Sequence, residues 1–142
     1  MTSRIPAFSL SRQNEALLEE LMTAVDRVIR SGHFILGKEV EAFEHELAQY
    51  VGVQYAIGVG NGSDALYIAL RAAGVGPGDE VITTPFTFFA TAGAIIRCGA
   101  TPVFVDVDRR TFNIDPEGIA SRVNKRTKAI IPVHIFGQPA NM

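Results

Sequence analysis

One cysteine, Cys98, leaves this chain with no possible internal disulfide. It falls in an apolar helical run over 90–98, the setting of a buried, inert thiol. No apolar run approaches the ~20 residues needed to cross a bilayer. None follows Met1-Thr2-Ser3-Arg4-Ile5-Pro6 either, so no secretory signal peptide is expected and the cytoplasm is the default compartment. Positive charge is not in excess: the formal net charge is −2, which gives a nucleic-acid partner no electrostatic support. The one dense basic stretch, Lys125-Arg126-Thr127-Lys128, reads as a solvated edge beside a strand. What is present is 142 residues, 47% hydrophobic and 20% charged, a globular composition sized for one modest domain.

Residues 1–11 read as an extended arm. From Arg12 to Arg30, Leu17, Leu21, Val25 and Val28 recur at three- and four-residue steps, the period of an amphipathic helix. Ser31-Gly32 closes it, with glycine where a left-handed cap is needed. A second amphipathic helix is predicted from Lys38 to Tyr50. After Gly52 the rhythm changes to strand and helix in alternation. Strands are predicted at Tyr55–Val59, Glu80–Thr84, Pro102–Val107 and Ala129–Ile135. Between them lie helices at Ser63–Ala73, apolar on nearly every side and so expected to be buried, at Phe88–Cys98, and from Asp115-Pro116 to Val123. The last opens with a capping side chain followed by proline. Such alternation predicts an α/β fold with a mostly parallel sheet and right-handed crossovers. Ligands of these sheets bind beyond the C-terminal strand ends. Those ends carry Gly60-Asn61-Gly62-Ser63, Thr84-Pro85-Phe86-Thr87, Asp106-Val107-Asp108, and His134 through Gln138. The chain stops at Asn141-Met142 just after a strand and its loop, where an α/β domain rarely ends, so it is expected to be the front part of something longer.

The stretch from Gly58 to Leu66 runs through glycines into a helix start. Free N–H groups and the helix dipole make such a place suited to an anion. Three anion loops compete for it. The P-loop pattern needs a lysine after its glycines, and none follows here. The dinucleotide fingerprint needs a third glycine and an acid at the end of the second strand. Ser63 stands in place of that glycine, and the nearest acids, Asp79 and Glu80, lie at the strand's beginning. The remaining option is a single phosphate monoester held by backbone N–H groups and the Ser63 hydroxyl, as a phosphorylated cofactor would be. A plain glycine turn with a serine cap is the bland alternative.

At this point the chain resembles the DegT/DnrJ/EryC1/StrS sugar aminotransferases, pyridoxal-phosphate enzymes of the aspartate aminotransferase type I fold. The resemblance rests on the order and spacing of Ser31-Gly32-His33-Phe34-Ile35-Leu36-Gly37, Gly60-Asn61-Gly62-Ser63-Asp64-Ala65-Leu66, Gly76-Pro77-Gly78-Asp79-Glu80, Thr87-Phe88-Phe89-Ala90-Thr91, Val103-Phe104-Val105-Asp106-Val107-Asp108, Asn113-Ile114-Asp115-Pro116, and Thr127 through His134. It implies an arm and helix over 1–37, then the N-terminal part of the cofactor-binding large domain over 38–142. It implies pyridoxal 5′-phosphate as cofactor, with Gly62, Ser63 and Asp64 as the phosphate cup and Phe88 stacking on the pyridine ring, though Phe86 and Phe89 are nearby competitors. His134 and Gln138 would face the cofactor cleft, although a histidine at a strand end is more often bonded locally. Phe34 would approach the sugar nucleotide or a partner subunit. Asp106 and Asp108 read as a structural turn.

The resemblance further implies transfer of an amino group, usually from glutamate, to a keto group on a nucleotide-linked sugar, for polysaccharide or amino-sugar biosynthesis, by a homodimer whose interface the N-terminal helices can serve. No metal site is expected. The family's Schiff-base lysine matches no position here. Lys38, Lys125 and Lys128 lie on a surface helix and a basic edge, so no catalytic residue is assigned and the stretch alone is expected to be inactive and loosely packed. Two alternatives stay open: a keto-deoxysugar dehydratase of the same family, and a product that only associates with a full-length subunit.

Overall fold

The computed structural model describes Pro6 and residues 8–142. Residues 1–5 and 7 of the arm expected over 1–11 lie outside the described residues. Contacts divide the chain into two compact units, one ending at Gly58 and the other running Val59–Met142. This division follows packing, whereas the boundary expected at 37/38 follows the implied role of each segment.

In the first unit, helix α1 spans Ser11–Ser31 and ends on Gly32, whose φ of 67° is left-handed and whose N–H reaches the carbonyls of Val28 and Ile29. Its apolar stripe is real but uncovered: Leu17, Leu18, Leu21, Met22, Val25 and Ile29 are all exposed. Helix α2, Lys38–Val51, places Glu39 and Glu41 in its first turn, where acids suit the helix dipole. Glu39 also accepts two bonds from Arg27, at 2.8 Å from Nε and 3.0 Å from Nη2. That pairing holds the Glu39 carboxyl below the usual range and raises the Arg27 guanidinium. The strand expected at 55–59 does not form. Tyr55 and Ile57 are 74% and 80% exposed, and the Gly58 N–H is taken at 2.6 Å by the Glu44 carboxylate instead of by a ladder partner. An alternating apolar pattern proposes a strand, but only a neighbour's N–H and C=O groups make one.

The second unit is built on a parallel three-stranded sheet in the order β2-β1-β3, not the four strands expected. Strand β1 is Glu80–Thr83, β2 is Thr101–Phe104 and β3 is Thr127–Ile130. Val81 pairs with Pro102 on one side and Ala129 on the other, and Ile82 with Val103 and Ile130. As the central strand, β1 is buried along its whole length, and the alternation of its side chains gives each face its own core. Val81 joins Leu70 of α3 (Gly62–Ala72), Ala94 and Ile95 of α4 (Ala90–Arg97), and the neighbouring Val75, Cys98 and Ala100. Ile82 points the other way, to Val105 and Ile114, with Ile119 of α5 (Pro116–Arg122) packed beside them. Cys98 is buried, as expected.

One expectation is corrected here. Helix α3 is not buried all round: of its residues only Leu70 is buried, and Ile68 is exposed. One side packs on α4 and the sheet, and nothing within the unit covers the others. The basic stretch is an exposed edge, as expected, and one of its residues is also paired. Arg126 pairs with the carboxylate of Glu80, which also accepts from Asn124 Nδ2 at 2.7 Å. Glu80 is otherwise buried at the start of β1, where an unpartnered carboxylate would be costly. The turn reading of Asp106 and Asp108 agrees with the bonds they make. Asp106 Oδ1 accepts from the Val107 N–H. Asp108 Oδ1 accepts from the N–H groups of Arg110 and Thr111 and from the Thr111 hydroxyl, which holds its carboxyl below the usual range. Asp115 caps α5 by accepting from the Glu117 N–H, with Pro116 at the first position, as its sequence predicted. No helix among the described residues is long and apolar enough to cross a membrane.

Candidate cofactor site

The glycines before α3 supply room, not unusual backbone. Neither Gly60 nor Gly62 is among the glycines with positive φ. A Cβ added at Gly62 would meet nothing within 4 Å, so that face of the helix start is open. Asn61 is the N-cap: its side-chain oxygen accepts from the Asp64 N–H at 2.9 Å, and its Nδ2 donates to Asp64 Oδ2 at 3.0 Å. The spacing is that of a capping box, but Asp64 accepts from the Asn61 side chain rather than from its backbone N–H. Of the three positions expected to offer N–H groups to a phosphate, Asp64 therefore has its N–H committed. Those of Gly62 and Ser63, and the Ser63 hydroxyl, have no partner among the described residues. They form a donor set at the positive end of an 11-residue helix, which suits a phosphate monoester.

Gly62 and Ser63 share a cleft of about 660 Å³ with Leu66, Thr87, Phe88 and Phe136. No lysine or arginine lines it, so an anion there would rest on N–H groups, the hydroxyl and the helix dipole. Among the competing aromatics, Phe88 lines this cleft while Phe86 and Phe89 do not. Phe88 is 73% exposed and its ring is braced edge-on by Phe89, centroids 6.1 Å apart. Thr87 is tied to Thr91 through their hydroxyls at 2.8 Å, which fixes the turn that carries Phe88 into α4.

The other expected residues stand apart from that grouping. His134 is exposed and does not line the cleft, although Val133 and Ile135 on either side of it do. Its Nδ1 accepts the Ala140 N–H at 2.9 Å, so the neutral ring carries its proton on Nε2. Gln138 lines a different cleft, of about 500 Å³, with Phe86, Arg110, Phe112 and Phe136. Phe34 belongs to the first unit, where it lines a crevice with Arg27, Val28, His33 and Lys38. Sequence reasoning missed two residues at the helix start. Asn61 was legible, since Asn-x-x-Asp ahead of an apolar run is capping-box spacing. Arg97, whose Nη1 donates to Asp64 Oδ1 at 2.9 Å, left no local signal because it lies 33 residues away.

The model of the DegT/DnrJ/EryC1/StrS aminotransferase family matches residues 15–142. A Geobacillus stearothermophilus protein described as a pleiotropic regulatory protein is 59% identical over 138 residues, 97% of this chain and 37% of that protein. The UDP-2-acetamido-2-deoxy-3-oxo-D-glucuronate aminotransferase of Pseudomonas aeruginosa is 47% identical over 137 residues, 96% of this chain and 38% of that one. The solved structure of NtdA from Bacillus subtilis with bound cofactor PMP superimposes with a TM-score of 0.93 at 34% identity, over 99% of this chain and 33% of that one. The chain thus spans under two fifths of the length of these relatives.

Proposed function

This chain belongs to the DegT/DnrJ/EryC1/StrS aminotransferase family, and from that premise we propose that it is the N-terminal part of a pyridoxal-phosphate enzyme that moves an amino group, from glutamate, to a keto group on a nucleotide-linked sugar. In this reading residues 38–142 belong to the cofactor-binding large domain and 1–37 form an arm and helix ahead of it. The observation that carries the reading is the free donor set of Gly62 and Ser63 opening on the same cleft as the exposed face of Phe88. A phosphate and a flat ring, joined as in pyridoxal phosphate, ask for that pairing.

When bound, the cofactor supplies an electron sink. The chain's own groups bind and orient it. The Gly62 and Ser63 N–H groups and the Ser63 hydroxyl donate to the phosphate oxygens, and the α3 dipole favours their charge. The Phe88 ring stacks on the pyridine and keeps water from one face of it. His134 and Gln138, on the loop after β3, stay in the proposed cofactor set through the family resemblance alone, since neither lines the cleft. Phe34 is proposed to contact the sugar nucleotide. The exposed apolar stripe of α1, with Leu17, Leu21 and Val25, is proposed as part of a homodimer interface. For residues 1–142 alone we expect no transfer. Neither Lys125 nor Lys128 lines the cleft, and Lys38 opens a helix of the first unit.

The test is a reaction of the full-length protein with pyridoxal phosphate, glutamate and a panel of nucleotide-linked keto sugars, read by mass spectrometry. The expected outcome is 2-oxoglutarate and an amino sugar in equal amounts. Loss of water from the sugar without nitrogen transfer would turn the assignment to the dehydratase reading.

A further inference from the structure

Asp64 is an odd residue to find at a phosphate site. It sits in the first turn of α3, immediately after the two residues that line the cleft with unpartnered N–H groups. A carboxylate so close to a dianion would repel it. The structure shows how that charge is occupied. Asp64 Oδ1 accepts from Arg97 Nη1 at 2.9 Å, and Oδ2 accepts from Asn61 Nδ2 at 3.0 Å. Arg97 is in turn seated over the Tyr67 ring, its guanidinium carbon 4.1 Å from the centroid. Tyr67 is one turn along α3 from Asp64, so one guanidinium grips two residues of the same helix from the last turn of α4. The α4 carbonyl end also favours a cation there.

We propose that Arg97 is a positioning residue for the cofactor phosphate. It neutralises the Asp64 carboxylate and draws it, with Asn61, into the helix cap, so that the Gly62 and Ser63 N–H groups meet the phosphate without a competing negative charge. Arg97 itself does not line the cleft, so its effect passes through Asp64. This inference rests on the reading of Gly62 and Ser63 as the phosphate cup.

The test compares equilibrium affinities of full-length protein for pyridoxal phosphate and for pyridoxal, which lacks the phosphate. Their ratio isolates the phosphate contribution from ring binding and from global stability. Arg97→Gln is expected to lower the ratio about tenfold, as expected for an unscreened carboxylate near a dianion, with pyridoxal affinity unchanged. Arg97→Lys, which keeps the charge, is expected to restore most of it, and so is adding Asp64→Asn to Arg97→Gln, which removes the charge that Arg97 masks. An unchanged ratio in Arg97→Gln overturns the proposal. So does an equal fall for both ligands, the mark of a merely structural role, and so does a double variant as weak as the single one. Ser63→Glu separates this from a failure of the cup reading. If Ser63→Glu abolishes the phosphate preference and Arg97→Gln leaves it intact, only the role of Arg97 fails. If Ser63→Glu also leaves it intact, the cup itself is misplaced.

Discussion

Replacing Ser63 by glutamate is expected to abolish measurable pyridoxal-phosphate binding by the full-length protein while leaving its thermal stability unchanged or slightly raised. The substitution removes a hydroxyl donor and sets a carboxylate where a dianion belongs. A hydrogen bond to a charged group contributes about 1.5–3 kcal/mol, and repulsion adds to its loss, so the affinity falls by at least about 100-fold. The fold has no reason to suffer. Ser63 is exposed, with no side-chain partner among the described residues, and an acid in the first turn of a helix is favourable to its dipole. Loss of binding without a fall in the stability of the cofactor-free protein is the pairing to measure, by cofactor titration beside a melting curve. Unchanged affinity would remove Ser63 from the site.

Ile95→Ala is expected to cost about 2–5 kcal/mol of stability through the cavity it leaves. Ile95 is fully buried at the meeting point of α3, α4 and the Val81 face of β1. Any relaxation that fills the space must move α4 toward the sheet, and α4 carries both Ala90, beside Phe88, and Arg97. Denaturant unfolding of the full-length protein reads the loss. A change below about 1 kcal/mol would mean that this cluster is not the core of the unit. Cofactor affinity should fall with it, since the helix that holds Arg97 shifts, whereas Ser63→Glu separates the two quantities.

The sequence showed its local features clearly. Gly32 had to accept a left-handed cap, Asp115-Pro116 had to start a helix, and alternating strand and helix patterns had to give a parallel sheet, because each depends on neighbours a few residues away. The glycine-rich helix start at Gly60 to Ser63 was legible in the sequence, and the family resemblance is what suggests a cofactor phosphate there. What stayed hidden depends on distant partners. Tyr55–Val59 has a strand's pattern but no pairing neighbour among the described residues. Helix α3 looks buried by composition, yet only one of its sides is covered. Arg126 is the exposed charge it looked like, but its pairing with Glu80 needed the start of β3 to lie beside the start of β1. Arg97 gave no sign of its tie to Asp64, because only the packing of α4 on α3 brings them together. The placement of Phe88 in the cleft, with Phe86 and Phe89 outside it, likewise needed the turn at Thr87 to be built before the three rings could be told apart.

The most direct measurement is a crystal structure of the full-length protein with pyridoxal phosphate. Phosphate oxygens within hydrogen-bonding distance of the Gly62 and Ser63 nitrogens and the Ser63 hydroxyl, with the ring stacked on Phe88 and the Asp64 carboxylate still held by Arg97, is the predicted result. A phosphate bound elsewhere, with those three donors facing water, would contradict it.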